Sequence, residues 1–225
     1  MQPLSLDTTV TTIAAELPGA ADLFRRSAIN FCCNGNIALR SAAERAGLSP
    51  ADLLAELEAL QHAAGREAPQ ETDALIDHLL SRYHETHRRE LTFLIPLAKK
   101  VERVHGDHPV APSGLAQALI ALEDDLENHM RSEEQILFPL MRQGANTRAT
   151  QPIARMRDEH EDTFRLLQDI EHATHGMALP EGACGSWTAL YTGLRKFTDD
   201  LVSHMHLENE VLFPRFEKPG SSTAE

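Results

Sequence analysis

Apolar residues recur at intervals of three and four along nearly the whole chain, and no stretch alternates apolar and polar as a half-buried strand would. From residue 71 onward the pattern falls into four long stretches, about 71–104, 113–143, 152–176 and 186–215. The separators "HGDHPVAPSG", "QGANTRATQP" and "HGMALPEGACGS" are rich in turn formers. Four long helices with short connections predict an antiparallel bundle. Pro96, Pro139 and Pro214 are expected near helix ends or at kinks. The first part of the chain reads as four shorter helices. "TTVTTIAAEL" is stopped by Pro18-Gly19, and "AADLFRRSAI" runs into the turn "NFCCNGN". "IALRSAAERAG" ends at Gly47, and "SPADLLAELEAL" opens with Ser49 as N-cap, Pro50 at the first helical position and Asp52 at the positive end of the dipole. The polar stretch "QHAAGREAPQ" (61–70) reads as a linker. The expectation is an all-α protein: a small helical domain over 1–62, then a four-helix bundle over 71–217.

Composition narrows the function. At 225 residues there is room for an ordinary domain and a small one. A net charge of -13 without a basic stripe argues against a nucleic-acid binder. The helices joined by "GLSP" resemble a helix-turn-helix in spacing only, since Asp52, Glu56 and Glu58 would repel phosphate. His, Asp and Glu interrupt every apolar run, so no membrane span is expected, and "MQPLSLDTTV" has no signal-peptide character. Three cysteines make no disulfide framework, which points to a reducing cytoplasm.

The chemistry lies in a repeated phrase. "HMRSEEQILFP" starts at His129 and "HMHLENEVLFP" at His204. Residues i and i+4 share a helical face, so His129 with Glu133, and His204 with Glu208, point the same way. One such pair is commonplace on an amphipathic helix. Two in register, on the second and fourth helices, are not explained by core packing, which would keep the apolar positions alone. Buried carboxylates facing one another need a cation. The first and third helices should supply the remaining donors. The third carries a single His, His160. His84 precedes His129 by nearly the interval that separates His160 from His204, whereas His78 and His87 fall out of that register. His87 reads as a neighbour on the same face or a surface residue. The resulting set is His84, His129, Glu133, His160, His204 and Glu208. Four imidazoles and two carboxylates exceed one tetrahedral zinc and suit two ions bridged by Glu133 and Glu208, iron before manganese. Asp125 and Glu159 are candidates to orient the histidines.

With these residues in place, the spacing "RYHETHR … NHMRSEEQILFP … DEH … SHMHLENEVLFP" resembles the hemerythrin-like di-iron domain of the repair-of-iron-centres (YtfE/ScdA) family, and "NFCCNG" resembles the ScdA-type domain that precedes it. The resemblance spans nearly the whole chain, and the family's iron ligands carry over onto the same six residues. It departs from true hemerythrins, which place two His one turn apart on the third helix. Here Phe164 follows His160 by one turn. The resemblance implies repair of iron–sulfur clusters damaged by oxidative or nitrosative stress, with damaged clusters or their assembly machinery as partners and iron donation as the leading mechanism. Reduction of nitric oxide at the two irons, and an O2/NO-binding sensor, are the alternatives.

Cys32 and Cys33 are adjacent, a geometry poor for a mutual disulfide. They read either as small turn residues or as a reactive pair that binds iron or a partner, and the resemblance favours the second reading. Cys184 reads as incidental, His62, His105, His108, His172 and His175 as surface residues, and Met130 and Met205 as core. The small core of the N-terminal unit predicts that it packs on a further surface, a second copy of the chain being one candidate.

Overall fold

In the computed structural model, described for residues 4–32, 35–64, 66 and 68–217, every regular element is a helix. The N-terminal unit comprises α1 (Val10–Glu16), α2 (Ala20–Arg26), α3 (Leu39–Arg45) and α4 (Pro50–Ala63). Local chemistry sets their ends. The Thr9 hydroxyl accepts from the Thr12 amide at α1, and the Ser49 hydroxyl accepts from the Asp52 amide at α4. Gly47 takes a positive φ of 72° after α3, which lets the Leu48 amide reach back to the Ala43 carbonyl. Ile13, Leu17, Phe24, Leu39 and Leu57 form its core. Each contributes roughly 1.5–3 kcal/mol by leaving water.

The bundle consists of α5 (72–105), α6 (115–142), α7 (Asn146–Ala173) and α8 (185–212), with a short α9 (Pro214–Glu217) after it. Helix α7 starts earlier than the sequence pattern predicts and holds Pro152 inside its second turn. Ala149, buried beside Ile153 and Met156, makes this early stretch part of the core. Pro96 also lies inside a helix rather than near its end.

Three of the four bundle helices change winding along their length. Leu79–His84 in α5, Glu133–Leu137 in α6 and Leu207–Leu212 in α8 are π-helical. The Phe138 amide donates to the Glu133 carbonyl and the Phe213 amide to the Glu208 carbonyl, each five residues back. A proline follows each Phe, whereas Leu79–His84 widens without one and Pro96 and Pro152 sit in ordinary α-helix. Pro139 and Pro214 cannot donate, and in an ordinary α-turn their rings would crowd the carbonyl four residues earlier. An extra residue in the turn relieves the crowding. The recurring Leu-Phe-Pro coincides with a change of backbone as well as core, and such bulges concentrate at functional sites.

Two apolar layers fill the bundle. One holds Leu94, Leu126, Met130, Leu194, Leu201 and Met205; the other holds Tyr83, Leu137, Phe138, Leu207, Leu212 and Phe213. A polar layer lies between them. The N-terminal unit packs on its own bundle, which accounts for its small core. Phe164 touches both cores. Arg25 makes a bidentate ion pair with Glu171, with Nε at 2.9 Å from Oε1 and Nη2 at 2.9 Å from Oε2. The His206 Nδ1–H donates to the Glu16 carbonyl at 3.0 Å.

Candidate metal centre

The polar layer is made of the six residues picked out by the repeat. Their ligand atoms form two groups, each within 4.8 Å: His84, His204, Glu133 and Glu208, and His129, His160, Glu133 and Glu208. The two carboxylates belong to both. His84 Nε2 lies 3.2 Å from His204 Nε2, and His129 Nε2 lies 3.1 Å from His160 Nε2. Glu208 gives one oxygen to each pair, Oε1 at 3.1 Å from His204 Nε2 and Oε2 at 3.1 Å from His160 Nε2. Glu133 turns Oε2 to both, at 3.4 Å from His84 Nε2 and 3.5 Å from His129 Nε2.

The electrostatics of this layer call for positive charge. All six side chains are buried; even His160, the most accessible, is 5% exposed. Among the described residues, neither oxygen of Glu133 has a hydrogen-bond partner. Burial, and then the neighbouring Glu208, push the Glu133 carboxyl well above the usual range. Burial raises Glu208 as well, but the His204 and His160 imidazoles outweigh it and hold this carboxyl well below its ordinary value. The protein alone thus keeps one carboxylate ionised and presses a proton onto the other. Burial lowers His84 to about 4 and also lowers His160, so both imidazoles are neutral near pH 7, the form that binds a metal. Mixed imidazole and carboxylate donors suit first-row transition ions. The donor set fits two cations.

A second ring of contacts turns the imidazoles. The His84 Nδ1–H donates to Glu134 at 2.9 Å, and Arg88 holds that carboxylate from the other side at 2.9 Å. The His129 Nδ1–H donates to Glu159 at 3.0 Å, which Arg155 holds at 2.7 Å. The hydrogen bond from His129, ahead of that from Arg155, lowers Glu159 to about 2 despite its partial burial. The His160 Nδ1–H donates to Asn209 Oδ1 at 3.1 Å, an oxygen that also accepts from Arg157 at 3.3 Å. Among the described residues, Nδ1 of His204 has no hydrogen-bond partner. Asp125, the other expected orienting residue, accepts from Thr163 instead. Sequence reasoning passed over Glu134 and Asn209. Their signal was present in the repeat, where each directly follows the glutamate of its phrase.

The remaining candidates sort by position. His87 is fully buried, 5.3 Å from the His204 ring between ring centroids, and it belongs to neither ligand group. It is a neighbour of the layer, not a surface residue. His105 and His108 flank the Trp187 indole, and His105 Nε2 lies 3.1 Å from Cys184 Sγ, so these residues pin the far end of the bundle. Cys32 stands outside both ligand groups. Its amide donates to Asn30 Oδ1 at 3.1 Å, and its side chain lines a cleft of about 530 Å3 with Arg25, Phe31, Glu171 and His172. Cys33 lies outside the described residues. A separate cleft of about 490 Å3, walled by Thr12 and Glu16 of α1 and by Arg157 and Asn209, reaches His160.

Comparison with known proteins agrees with this geometry. Residues 75–216 match the hemerythrin HHE cation binding domain, and residues 6–61 match ScdA_N, a domain of unknown function (DUF542). The chain is 44% identical over 206 residues to the iron-sulfur cluster repair protein YtfE of Yersinia pseudotuberculosis serotype O:1b (strain IP 31758), covering 90% of this chain and 93% of that one. It is 43% identical to the protein of the same name from Yersinia pestis (strain Pestoides F), with the same coverage.

Proposed function

Because the chain belongs to the YtfE family of hemerythrin-domain iron–sulfur cluster repair proteins, we propose that it carries two irons on His84, His129, Glu133, His160, His204 and Glu208 and gives up iron to rebuild damaged clusters. One observation carries this reading: two sets of buried donors share a pair of carboxylates, one of which, Glu133, has no hydrogen-bond partner for either oxygen among the described residues. When bound, iron supplies the positive charge that this layer lacks and is itself the cargo.

The chain's own residues account for both holding and letting go. His84 and His204 would hold one ion, and His129 and His160 the other. Glu208 spans the two pairs oxygen by oxygen, and Glu133 sits opposite. Holding depends on ionised carboxylates, so a proton delivered to Glu133, the carboxyl whose affinity for one is raised, loosens both pockets at once. The cleft beside His160 gives solvent a short approach to the layer. The damaged cluster or its assembly machinery is the proposed recipient, and the cytoplasm the proposed compartment. Among the described residues no helix is long and apolar enough to cross a membrane. Cys32 and Cys33 are proposed to meet iron or the client protein.

The test is repair of an oxidised iron–sulfur enzyme under anaerobic conditions. Iron-loaded protein is expected to restore its activity while losing iron, and apoprotein is expected to do nothing. Equal repair by apoprotein would reject donation. Steady turnover of nitric oxide with undiminished iron content would mark the enzymatic alternative instead.

A further inference from the structure

We propose that the two pockets differ in affinity, the His84/His204 pocket being the weaker, so that the ion it holds is the one surrendered first. The inference rests on the di-iron reading above and assigns positions to its cargo.

The inner donors are close to symmetric. Each pocket has two imidazoles with Nε2 atoms 3.1–3.2 Å apart, one oxygen of Glu208 at 3.1 Å, and the shared Glu133 oxygen at 3.4–3.5 Å. One histidine in each is backed by a carboxylate that an arginine holds in place: Glu134 with Arg88 behind His84, and Glu159 with Arg155 behind His129. The symmetry fails at the second histidine of each pocket, His160 on α7 and His204 on α8. His160 donates Nδ1–H to an amide oxygen fixed by Arg157. Nδ1 of His204 has no hydrogen-bond partner among the described residues. Aromatic rings border this imidazole instead. Tyr83 is stacked on it at 5.4 Å and 7°, and His87 lies at 5.3 Å with neither ring nitrogen hydrogen-bonded.

A hydrogen bond from the distal nitrogen does two things for a ligating imidazole: it fixes the ring, and it raises the electron density at the metal-facing nitrogen. Removing such a partner costs about 10–100-fold in metal affinity. His204 stands in that condition by construction. Any water reaching its Nδ1 is a neutral partner without the fixed geometry of Asn209. The ion between His84 and His204 should therefore bind at least about 10-fold more weakly than the ion between His129 and His160. Solvent access runs the opposite way, because the cleft lies on the His160 side. Affinity and accessibility thus name different ions, which makes the assignment testable.

The decisive experiment uses ferrous iron and the full chain without oxygen. Competition against a chromophoric chelator should give two binding steps separated by about 10-fold or more. Crystals grown with one equivalent of iron should show the iron-edge anomalous peak between His129 and His160. Asn209→Leu removes the amide behind His160 and should bring the two steps together; Asn209→Asp replaces it with a carboxylate and should spread them further. A single unsplit step, a one-equivalent peak between His84 and His204, or steps indifferent to both Asn209 variants would each overturn the assignment. These readouts stand apart from repair. A split isotherm with no repair counts against donation alone, and repair with an unsplit isotherm counts against the assignment alone.

Discussion

The two phrases that end in Leu-Phe-Pro place the same donors inward and different residues outward. Within 129–139 and 204–214, His and Glu point at the shared layer, and a widened turn accommodates the proline. Outward, they part. After Glu133 comes Glu134, which backs His84 across the bundle; after Glu208 comes Asn209, which backs His160. Two residues past the first His, Arg131 reaches Glu127 in solvent, whereas His206 is tucked beneath the N-terminal unit. The inner copy builds the centre. The outer differences set how each imidazole is backed, on which the proposed difference in affinity rests, and which face the small domain covers.

The largest expected effect removes what the phrases have in common. Glu208→Ala takes one oxygen from both pockets and leaves four buried imidazoles around a single carboxylate. Iron per chain, measured after anaerobic loading and desalting, should fall from about two to near zero, as expected when a shared bridging ligand is lost. Retention of one full equivalent would mean that the carboxylate is not shared. His204→Ala, by contrast, should leave close to one equivalent, in the His129/His160 pocket.

Next comes pH, which separates the empty centre from the loaded one. The folded-state value of His84 is lowered to about 4, against about 6.5 in an unfolded chain, and that of His160 is lowered too. Groups depressed in this way contribute their full stability above the unfolded value and lose it as pH falls through the folded one. Apoprotein should therefore lose thermal stability as pH drops from about 6.5 toward 4, with the buried His87, lowered to about 2, adding to the loss and the raised Glu133 carboxyl opposing it. Melting curves of the apo form at pH 7.5, 6 and 4.5 check this, and an unchanged melting temperature across that span would contradict the neutral buried imidazoles.

The smallest effect tests the outward difference. His206→Ala removes a part-buried hydrogen bond to the Glu16 carbonyl and some packing, at a cost of about 1–2 kcal/mol. Arg131→Ala, at the matching place in the first phrase, removes an exposed pair and should cost under about 0.5 kcal/mol. Urea unfolding of both variants provides the comparison. Equal costs would show that the small domain does not lean on the second phrase.

Much of this architecture was legible in the residues. Period-three-and-four apolar spacing pointed to the helices, and a chemical repeat pointed to six side chains that the fold brings together, because burial alone would not preserve a His and a Glu in register. What escaped was non-local or subtle. No helical pattern announces that Arg25 pairs with Glu171 from the far end of the chain, or that Phe164, read as a missing imidazole, joins two cores. The early start of α7 was hidden by Pro152, a residue that breaks helices only when the carbonyl it meets cannot move aside. His87 has the chemistry of a ligand and the wrong register, and only the packing shows that it borders the layer without joining it. The proline that accompanies the widened turn beside each glutamate was written in the sequence, yet it looked like core repetition.

Anomalous diffraction at the iron edge from fully loaded crystals tests the central claim most directly. The account predicts two peaks, one bound by His84 and His204, the other by His129 and His160, each also within bonding distance of Glu133 and Glu208. A lone peak, or iron bound away from these six side chains, would contradict it.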